Sequence, residues 1–218
     1  MLTQAELLAL VEGLCRSLLV SVIGIVAALV IGTVLGAVRY ARIRVASQLA
    51  SVYVNLLRCT PLLVQIFMLY FALPEIGIRL SPFDVAILSL SLWGGAYQVE
   101  VMRAGFEAVP RQQVLCARAL GLSGLGAFLQ ITLPLGLRFS LPSATTTALS
   151  QFRSSSFMLV VGYQELTYVG NQIAAETFEV FRVFSTVSVI YLAVSFGISS
   201  ASRWLERFLS VPGLGRAQ

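Results

Sequence analysis

Residues 14–38 read LCRSLLVSVIGIVAALVIGTVLGAV, and Arg16 is the only charged side chain among them. A helix crosses the hydrocarbon core of a bilayer with about 20 apolar residues, so this segment is long enough to span a membrane. It exceeds the apolar region of a signal peptide, follows no basic segment and precedes no small-residue cleavage pattern. We therefore expect it to remain in the mature protein as the first membrane span.

The composition of the whole chain points to the same class of protein. Of its 218 residues, 57% are hydrophobic and 11% are charged, and the mean hydropathy is +0.86, far above the value of a soluble domain. This length leaves room for a few spans and for no separate soluble domain. We predict an all-α integral membrane protein with one domain, 1–218, and five spans near 14–38, 52–73, 83–102, 139–161 and 180–202.

The fourth of these segments is more polar than a lipid-facing helix. It contains Pro142, Gln151 and Arg153, together with hydroxyl side chains at 145–147 and 154–156. Irregular or polar backbone at membrane depth is tolerated only against protein or a water-filled cavity. We expect this segment to face the interior of a helical bundle.

All the basic charge comes from fifteen arginines, since the sequence has neither lysine nor histidine. Cytoplasmic loops of membrane proteins carry an excess of basic residues, so we predict an external N-terminus and a cytoplasmic C-terminus. The net charge of +5 then reflects contact with anionic lipid headgroups, and we expect no nucleic-acid partner. Ten arginines lie on the predicted cytoplasmic side: Arg39, Arg42, Arg44, Arg103, Arg111, Arg118, Arg138, Arg203, Arg207 and Arg216.

Residues that usually carry catalysis or bind metals are few and scattered. The sequence has no histidine, no glycine-rich phosphate loop and no paired nucleophile and base. Cys15, Cys59 and Cys116 fall at different predicted depths, too far apart for a disulfide or a metal site. We therefore expect no enzymatic activity, no metal and no cofactor, and any transport must draw its energy from a partner or a gradient.

Ionisable groups inside spans are costly, and they tend to face the bundle interior, to pair or to mark a pathway. Arg58, Glu100 and Arg153 are such groups, whereas Asp84 and Arg103 lie near span ends, from which they reach the headgroups. Two interpretations stay open. Either the three line a substrate path, or they form a structural network in which Glu100 pairs with Arg58 or Arg153. The predicted path comprises Arg58, Gln65, Tyr97, Gln98, Glu100 and Arg153.

Proline and glycine indicate where the spans bend or approach each other closely. Pro61 removes a backbone hydrogen bond within the second span and predicts a kink there. Gly94 and Gly95 permit bending or close helix approach. Gly32 and Gly36 form a GxxxG pattern, which we expect to serve packing within the chain.

Residues 103–138 form a polar, arginine-bearing insert between two apolar spans. A short helix can begin after Pro110 and end at Gly121 within it. Such a helix either lies at the surface as a solvated amphipathic helix or enters a groove of a partner protein and passes motion to the spans. The residue pattern alone leaves both readings open.

Five segments, in order, resemble the inner-membrane permease subunits of ABC importers for polar amino acids. The third resembles the family's cytoplasmic signature, written with Glu-Ala-Ala and a following glycine, and the fifth resembles a motif that ends in Glu-Leu-Thr. Together they extend the resemblance over nearly the whole chain. The segments are YVNLLRCTPLLVQ (53–65), GGAYQVEVMRAG (94–105), VPRQQVLCARALGLS (109–123), ITLPLGLRFSLPS (131–143) and FRSSSFMLVVGYQELT (152–167).

The resemblance implies the five-helix fold of binding-protein-dependent ABC importer permeases and a place in the bacterial inner membrane. It implies a polar amino acid as substrate, two cytoplasmic ATPase subunits, an external solute-binding protein and a second permease subunit. It also implies that the 103–138 loop holds a coupling helix for the ATPase. The residues that carry this role over are Arg111, Gln113, Leu115, Cys116, Ala117 and Gly121.

The chain departs from this family at its signature, where Leu115 stands in place of the glutamate. An unequal pair of permeases tolerates one weakened coupling loop, so a homologous second subunit is favoured over an identical copy. A secondary transporter or channel is the alternative, but it needs internal repeats or a proton relay, and the sequence has neither in clear form. A membrane scaffold, the third hypothesis, has no use for a polar fourth span.

Overall fold

The computed structural model describes residues 3–209, which form nine α-helices and no strand. Four helical stretches are long and apolar enough to cross a membrane, and a bent pair of helices adds a fifth span. The all-α membrane fold predicted from the sequence is confirmed. The helices are α1 Gln4–Tyr40, α2 Arg44–Cys59, α3 Leu62–Phe67, α4 Pro82–Glu107, α5 Arg111–Ala119, α6 Gly124–Ala127, α7 Leu133–Ser154, α8 Leu166–Thr177 and α9 Val180–Leu209.

Capping boxes fix where α1 and α4 begin. Thr3 accepts a hydrogen bond from the amide of Glu6, whose carboxylate accepts one from the amide of Thr3, so α1 begins ten residues before its predicted bound. Ser81 and Asp84 form the same arrangement at α4, where Pro82 occupies the first helical position. Each capping box therefore satisfies two backbone amides at the start of its helix.

Helix α4 is the centre of the bundle and contacts α1, α2 and α7. It runs parallel to α1, and three glycines of α1 lie against α4 residues that are each 66 positions further along the chain. A Cβ atom at Gly24 would lie 2.9 Å from the Cβ of Leu90, so no side chain fits there. The predicted packing role of the GxxxG pattern is therefore what the structure shows. We call this contact the glycine seam: Gly24, Gly32 and Gly36 against Leu90, Gln98 and Met102.

The predicted second span, 52–73, is not one helix. Helix α2 ends at Cys59, α3 begins at Leu62, and the two directions differ by 103°. Pro61 has no amide hydrogen to donate, and Thr60 adopts an extended conformation, so the helix cannot continue through them. Beyond α3 the chain continues as a π-helical turn, Met68–Ala72, and a 3₁₀ turn, Leu73–Ile76.

The fourth span is longer, and the loop before it shorter, than hydropathy indicates. Residues 103–107 complete α4. The fourth span begins at Gly124, after α5, and runs to Val161 through a π-helical turn, Phe128–Thr132, and a 3₁₀ turn, Ser155–Val161. Ser123 starts this stretch by accepting a hydrogen bond from the amide of Gly126. The predicted loop 103–138 is thereby reduced to residues 108–123.

Hydropathy did not indicate α8, which lies between the fourth and fifth spans and packs against α1 and α9. Glu165 caps its first turn by accepting hydrogen bonds from the amides of Thr167 and Tyr168, both at 2.8 Å. The apolar side of α8 joins Leu10 of α1 and Val183 of α9 in one hydrophobic cluster. The end of the bundle next to this cluster is therefore closed by a short helix.

Candidate functional site

The carboxylate of Glu100 lies in an ion network at the far end of the glycine seam. One oxygen pairs with Arg39 in the last turn of α1, and the other accepts hydrogen bonds from Arg103 at 3.0 and 3.1 Å. Arg103 also binds Glu107 at 2.7 Å. The predicted pairing of Glu100 with Arg58 or Arg153 is therefore wrong. Arg39 and Glu100 are 61 positions apart, and residue spacing does not show how α1 and α4 are aligned. The sequence therefore gives no sign that Arg39 is the partner of Glu100.

Gln98 lies inside the bundle and is completely buried. Its amide nitrogen donates to the carbonyl oxygen of Ala144 on α7 at 3.1 Å, and its backbone faces Gly32 across the glycine seam. Gln151 makes a similar contact in the opposite direction, to the carbonyl oxygen of Leu90 at 3.0 Å. Gln98 therefore ties α4 to α7 and does not border an open path in this conformation.

The break between α2 and α3 gathers three of the predicted pathway residues. The guanidinium of Arg58 lies 4.9 Å from the centre of the Tyr97 ring, a cation–π distance. The amide nitrogen of Gln65 turns back and donates to the carbonyl oxygen of Leu57 at 2.9 Å and to that of Thr60 at 3.2 Å. Gln65 thus replaces backbone donors that the break removes, while Arg58 stays exposed.

Arg153 lies apart from these residues, in a cavity of about 510 Å³ between α7 and α9. Its guanidinium is exposed, and hydroxyl groups surround the cavity. One cation among neutral donors can receive a carboxylate. The other residues that line the cavity are Ser156, Ser188, Tyr191, Leu192 and Ser195.

Helix α5 projects from the bundle between the third and fourth spans, as the loop pattern predicts. Pro110 precedes its first residue, and Gly121 follows it with a φ of +93°. The amides of Gly121 and Leu122 donate to the carbonyls of Arg118 and Ala117, a Schellman motif that closes the helix. Both ends of α5 are therefore fixed by backbone geometry.

The exposed surface of α5 combines apolar side chains with Arg111, Gln112 and Arg118. Leu115 is 64% exposed, Leu120 is 87% exposed, and Cys116 is exposed between them. Ala117, by contrast, is 5% exposed and faces the rest of the chain, so it cannot form part of a partner contact. Of the other predicted coupling residues, Arg111 and Gly121 are exposed and Gln113 is half-buried.

Glu165 is a buried acid that sequence reasoning did not select. Besides capping α8, its carboxylate accepts hydrogen bonds from the hydroxyls of Tyr191 at 3.1 Å and Ser17 at 3.4 Å. Burial raises the pKa of this carboxyl, while the amides of Thr167 and Tyr168 act to lower it. The residue joins α1, α8 and α9 at one point. Its place in the Glu-Leu-Thr segment was the available signal.

Among residues 3–209, no three histidine, cysteine, aspartate or glutamate side chains converge as a metal site would require. Cys15, Cys59 and Cys116 are free and exposed. The structure thus offers two polar regions within the predicted spans, around Arg58 and around Arg153, and one projection, α5, that exposes both apolar and basic side chains.

Comparison with known proteins connects this geometry to transport. The family described as binding-protein-dependent transport system inner membrane component matches residues 21–211. The glutamine transport system permease protein GlnP of Escherichia coli strain K12 is 33% identical over 204 residues, which cover 93% of both chains. The probable glutamine ABC transporter permease protein GlnP of Bacillus subtilis strain 168 is 33% identical over 207 residues, 94% of this chain and 95% of that one.

A solved structure shows the same fold. The crystal structure of an amino acid ABC transporter with histidines superposes with a TM-score of 0.85 at 25% sequence identity. The alignment covers 91% of this chain and 93% of the other. The broken second span and the projecting α5 thus occur within an architecture that is also found in a solved transporter.

Proposed function

The chain belongs to the family of binding-protein-dependent transport system inner membrane components, and from that membership we propose that it forms half of the path for a polar amino acid in an ATP-driven importer. Membership makes it a multi-pass permease subunit of a bacterial ABC importer and implies ATPase and binding-protein partners. The substrate, the second permease subunit and the roles of single residues are parts of the proposal.

The observation that carries the substrate class is the exposed guanidinium of Arg58 at the break. No acidic side chain pairs with it among residues 3–209, and the Tyr97 ring is its one charge-stabilising contact there. A cation at membrane depth faces a bundle interior or water. Substrate sites of transporters are commonly built at discontinuous helices. Arg58 is therefore placed to receive the carboxylate of an amino acid.

Arg153 supports the same substrate class from a separate cavity. Its cavity of about 510 Å³ holds one cation among hydroxyl groups, which suits a zwitterion with a polar side chain. Both named relatives are glutamine permeases, one of them as a probable assignment. Glutamine is thus the first substrate to test.

Helix α5 is the proposed contact with the ATPase. Its exposed surface is apolar at Leu115, where the family signature has glutamate, so at this position docking relies on shape and apolar burial, while Arg111 and Arg118 remain exposed on the same helix. A rigid helix that fills a groove transmits movement of the partner to the spans. Because Pro110 and Gly121 fix both ends, α5 moves with the spans as a unit.

The experiment that tests the substrate site is uptake by the reconstituted complex. The chain is co-expressed with its neighbouring ATPase, permease and binding-protein genes, and ATP-dependent entry of labelled glutamine into proteoliposomes is measured. Hydrogen bonds to charged groups contribute about 1.5–3 kcal/mol, so Arg58→Gln should lower uptake about 10- to 100-fold. Arg79→Gln, an exposed arginine between the second and third spans, is the matched control.

If the Arg58→Gln variant takes up glutamine as well as the Arg79→Gln control does, Arg58 has no role in substrate binding. The purified complex also decides the subunit composition, since mass spectrometry separates two identical permeases from a homologous pair. If uptake persists without the ATPase gene, the protein is a secondary transporter or a channel and not part of an ATP-driven importer.

The proposed topology, with the N-terminus outside and α5 in the cytoplasm, is tested with a membrane-impermeant thiol reagent. Cys15 and Cys59 are exposed and are first replaced by alanine. In cells with a permeabilised outer membrane, Thr3→Cys should be labelled while Cys116, which is exposed on α5, stays unlabelled. The reverse labelling pattern would invert the topology.

A further inference from the structure

Two cavities lie next to each other where α1 ends, and Tyr40 lines both of them. The first, which we call the cationic cavity, has a volume of about 750 Å³ and lies between the end of α1, the end of α4 and α5. The second, the apolar groove, has a volume of about 470 Å³ and lies between α1 and the start of α6. Neither contains a residue of the proposed substrate path, but Arg111 and Leu115 of α5, two of the proposed ATPase-coupling residues, line the cationic cavity.

Three arginines give the cationic cavity its charge. Arg42, Arg111 and Arg118 line it, are exposed, and form no ion pair within the part of the chain that the structure describes. Glu107 is the one acid in the lining, and both its oxygens are bound by Arg103 at 2.7 and 2.8 Å. The cavity therefore has an excess of positive charge that an anion would neutralise.

The backbone at Arg42 gives a second, independent observation. Its φ is +53°, in the left-handed region that favours glycine, and it lies in the turn between α1 and α2. A residue other than glycine that is kept in this strained backbone conformation often has a functional side chain. Here the side chain lines the cationic cavity.

The apolar groove gives the ligand a second chemical requirement. Its lining has no charged group, and it begins beside Tyr40 at the level where α1 leaves the apolar core. A carboxylate of a partner protein would satisfy the arginines but leave this groove empty. The groove is lined by Ala37, Val38, Tyr40, Ala41, Ile43, Gly124, Leu125 and Phe128.

We propose that one anionic phospholipid binds here, with its headgroup phosphate among Arg42, Arg111 and Arg118 and an acyl chain in the apolar groove. Basic pockets between membrane helices bind anionic headgroups, and the cavity begins where the apolar run of α1 ends, at Val38 followed by Arg39, which is the position expected for headgroups. The lipid joins the turn after α1 to α5. The inference rests on the proposed function in assigning the site to the cytoplasmic leaflet, and the headgroup would lie beside the part of α5 that is proposed to contact the ATPase.

The test measures lipid retained by the purified full-length chain in native mass spectrometry. Phosphatidylglycerol is titrated against phosphatidylcholine with the same acyl chains, and inorganic phosphate is added as a competitor. Each arginine near a headgroup contributes about fivefold in affinity, so the double variant Arg42→Gln, Arg118→Gln should retain phosphatidylglycerol about 25-fold more weakly. Arg79→Gln, outside both cavities, should bind it as the parent does.

A third variant, Ala41→Trp, fills the apolar groove without removing a charge. It should weaken phosphatidylglycerol binding about tenfold, since a few methylene groups lose their burial. Competition by inorganic phosphate together with unchanged binding by Ala41→Trp would overturn the lipid in favour of a free phosphate. Loss of ATPase co-purification by the double variant with unchanged lipid retention would overturn it in favour of a protein partner. Neither readout depends on transport, so failed uptake alone leaves this inference standing.

Discussion

The glycine seam and the break between α2 and α3 both lie against α4, and they satisfy backbone polar groups inside the membrane in opposite ways. At the seam two complete helices touch, and a buried amide such as that of Gln98 joins a third helix to them. At the break the helix is interrupted, and the amide of Gln65 substitutes for the missing donors. One side-chain type thus seals a rigid contact in one region and maintains an opening in the other.

The seam and the break differ in how easily each can change its conformation. At the seam the α1 glycines lie so close to α4 that even an added Cβ atom would clash. The two helices therefore have no second way to pack against each other. The break keeps exposed polar groups and few neighbours, and such regions open at low cost. We therefore expect the seam to act as a rigid scaffold and the break to be the part that responds to the proposed substrate. Four substitutions, from the largest expected effect to the smallest, test this division.

Gly32→Leu should break the seam completely. A Cβ atom at this position would lie 2.8 Å from the backbone carbonyl carbon of Gln98, so the helices must separate. Overpacking typically costs about 1–3 kcal/mol and occasionally more, and we expect loss of the subunit from membranes, measured by quantitative immunoblot. Gly197→Leu, on α9 with open space around it, should leave abundance unchanged. Normal abundance of Gly32→Leu would show that the seam is adaptable.

Glu100→Gln sharpens the comparison at the end of the seam. It leaves Arg39 and Arg103 without their shared counter-charge. Breaking a buried pair costs about 3–5 kcal/mol, and partial exposure lowers this to about 2 kcal/mol. The melting temperature of the purified subunit should then fall by about 4–8 °C. Glu107→Gln, whose carboxylate is half exposed and binds Arg103 alone, should change it little. If both variants melt alike, the network does not hold α1 to α4.

Gln65→Leu tests whether the break depends on its side-chain donor. The carbonyls of Leu57 and Thr60 lose their partner in a partly buried site, where water can satisfy one of them, so we expect a total loss of about 1–1.5 kcal/mol. We expect a melting temperature lower by about 2–6 °C, with uptake reduced in proportion to the folded protein. Gln172→Leu, an exposed glutamine on α8, is the control. Lost uptake at full stability would instead place Gln65 in the substrate path.

Tyr53→Phe probes the link between the two regions. The hydroxyl of Tyr53 on α2 donates to the carbonyl oxygen of Leu92 on α4 at 2.7 Å. One such bond contributes about 0.5–1.5 kcal/mol, so the melting temperature should fall by about 1–4 °C. Tyr168→Phe, whose hydroxyl has no hydrogen-bond partner among residues 3–209, serves for comparison. Equal melting of the two variants would mean that α2 is held by apolar contacts alone.

The sequence was most informative where composition alone decides. The first, third and fifth spans are apolar over lengths that a bilayer requires, and helices occur at all three. The fourth was misjudged because Gly124 and the residues after it form helix beyond the apolar core, which hydropathy does not score. Helix α8 was missed because it is short and amphipathic and gains its stability from packing on α1 and α9.

The site was less predictable than the fold. Pro61 indicated the interruption correctly, because the missing amide hydrogen is a local property. The partner of Glu100 depends on how α1 and α4 are aligned, and two helices of the same hydropathy give no reading of that alignment. Exposure is equally non-local. Ala117 and Cys116 are adjacent in a predicted helix, yet one is buried and the other exposed.

The spacing of the glycine seam also sets an order of events during synthesis. Every α1 glycine of the seam awaits a residue 66 positions later, and chains grow at about 5–20 residues per second, so α1 must wait roughly 3–13 s for its partner. During that interval the glycine face of α1 lacks the α4 residues that cover it in the folded chain. The helix that is made first is consequently among the last to complete its contacts.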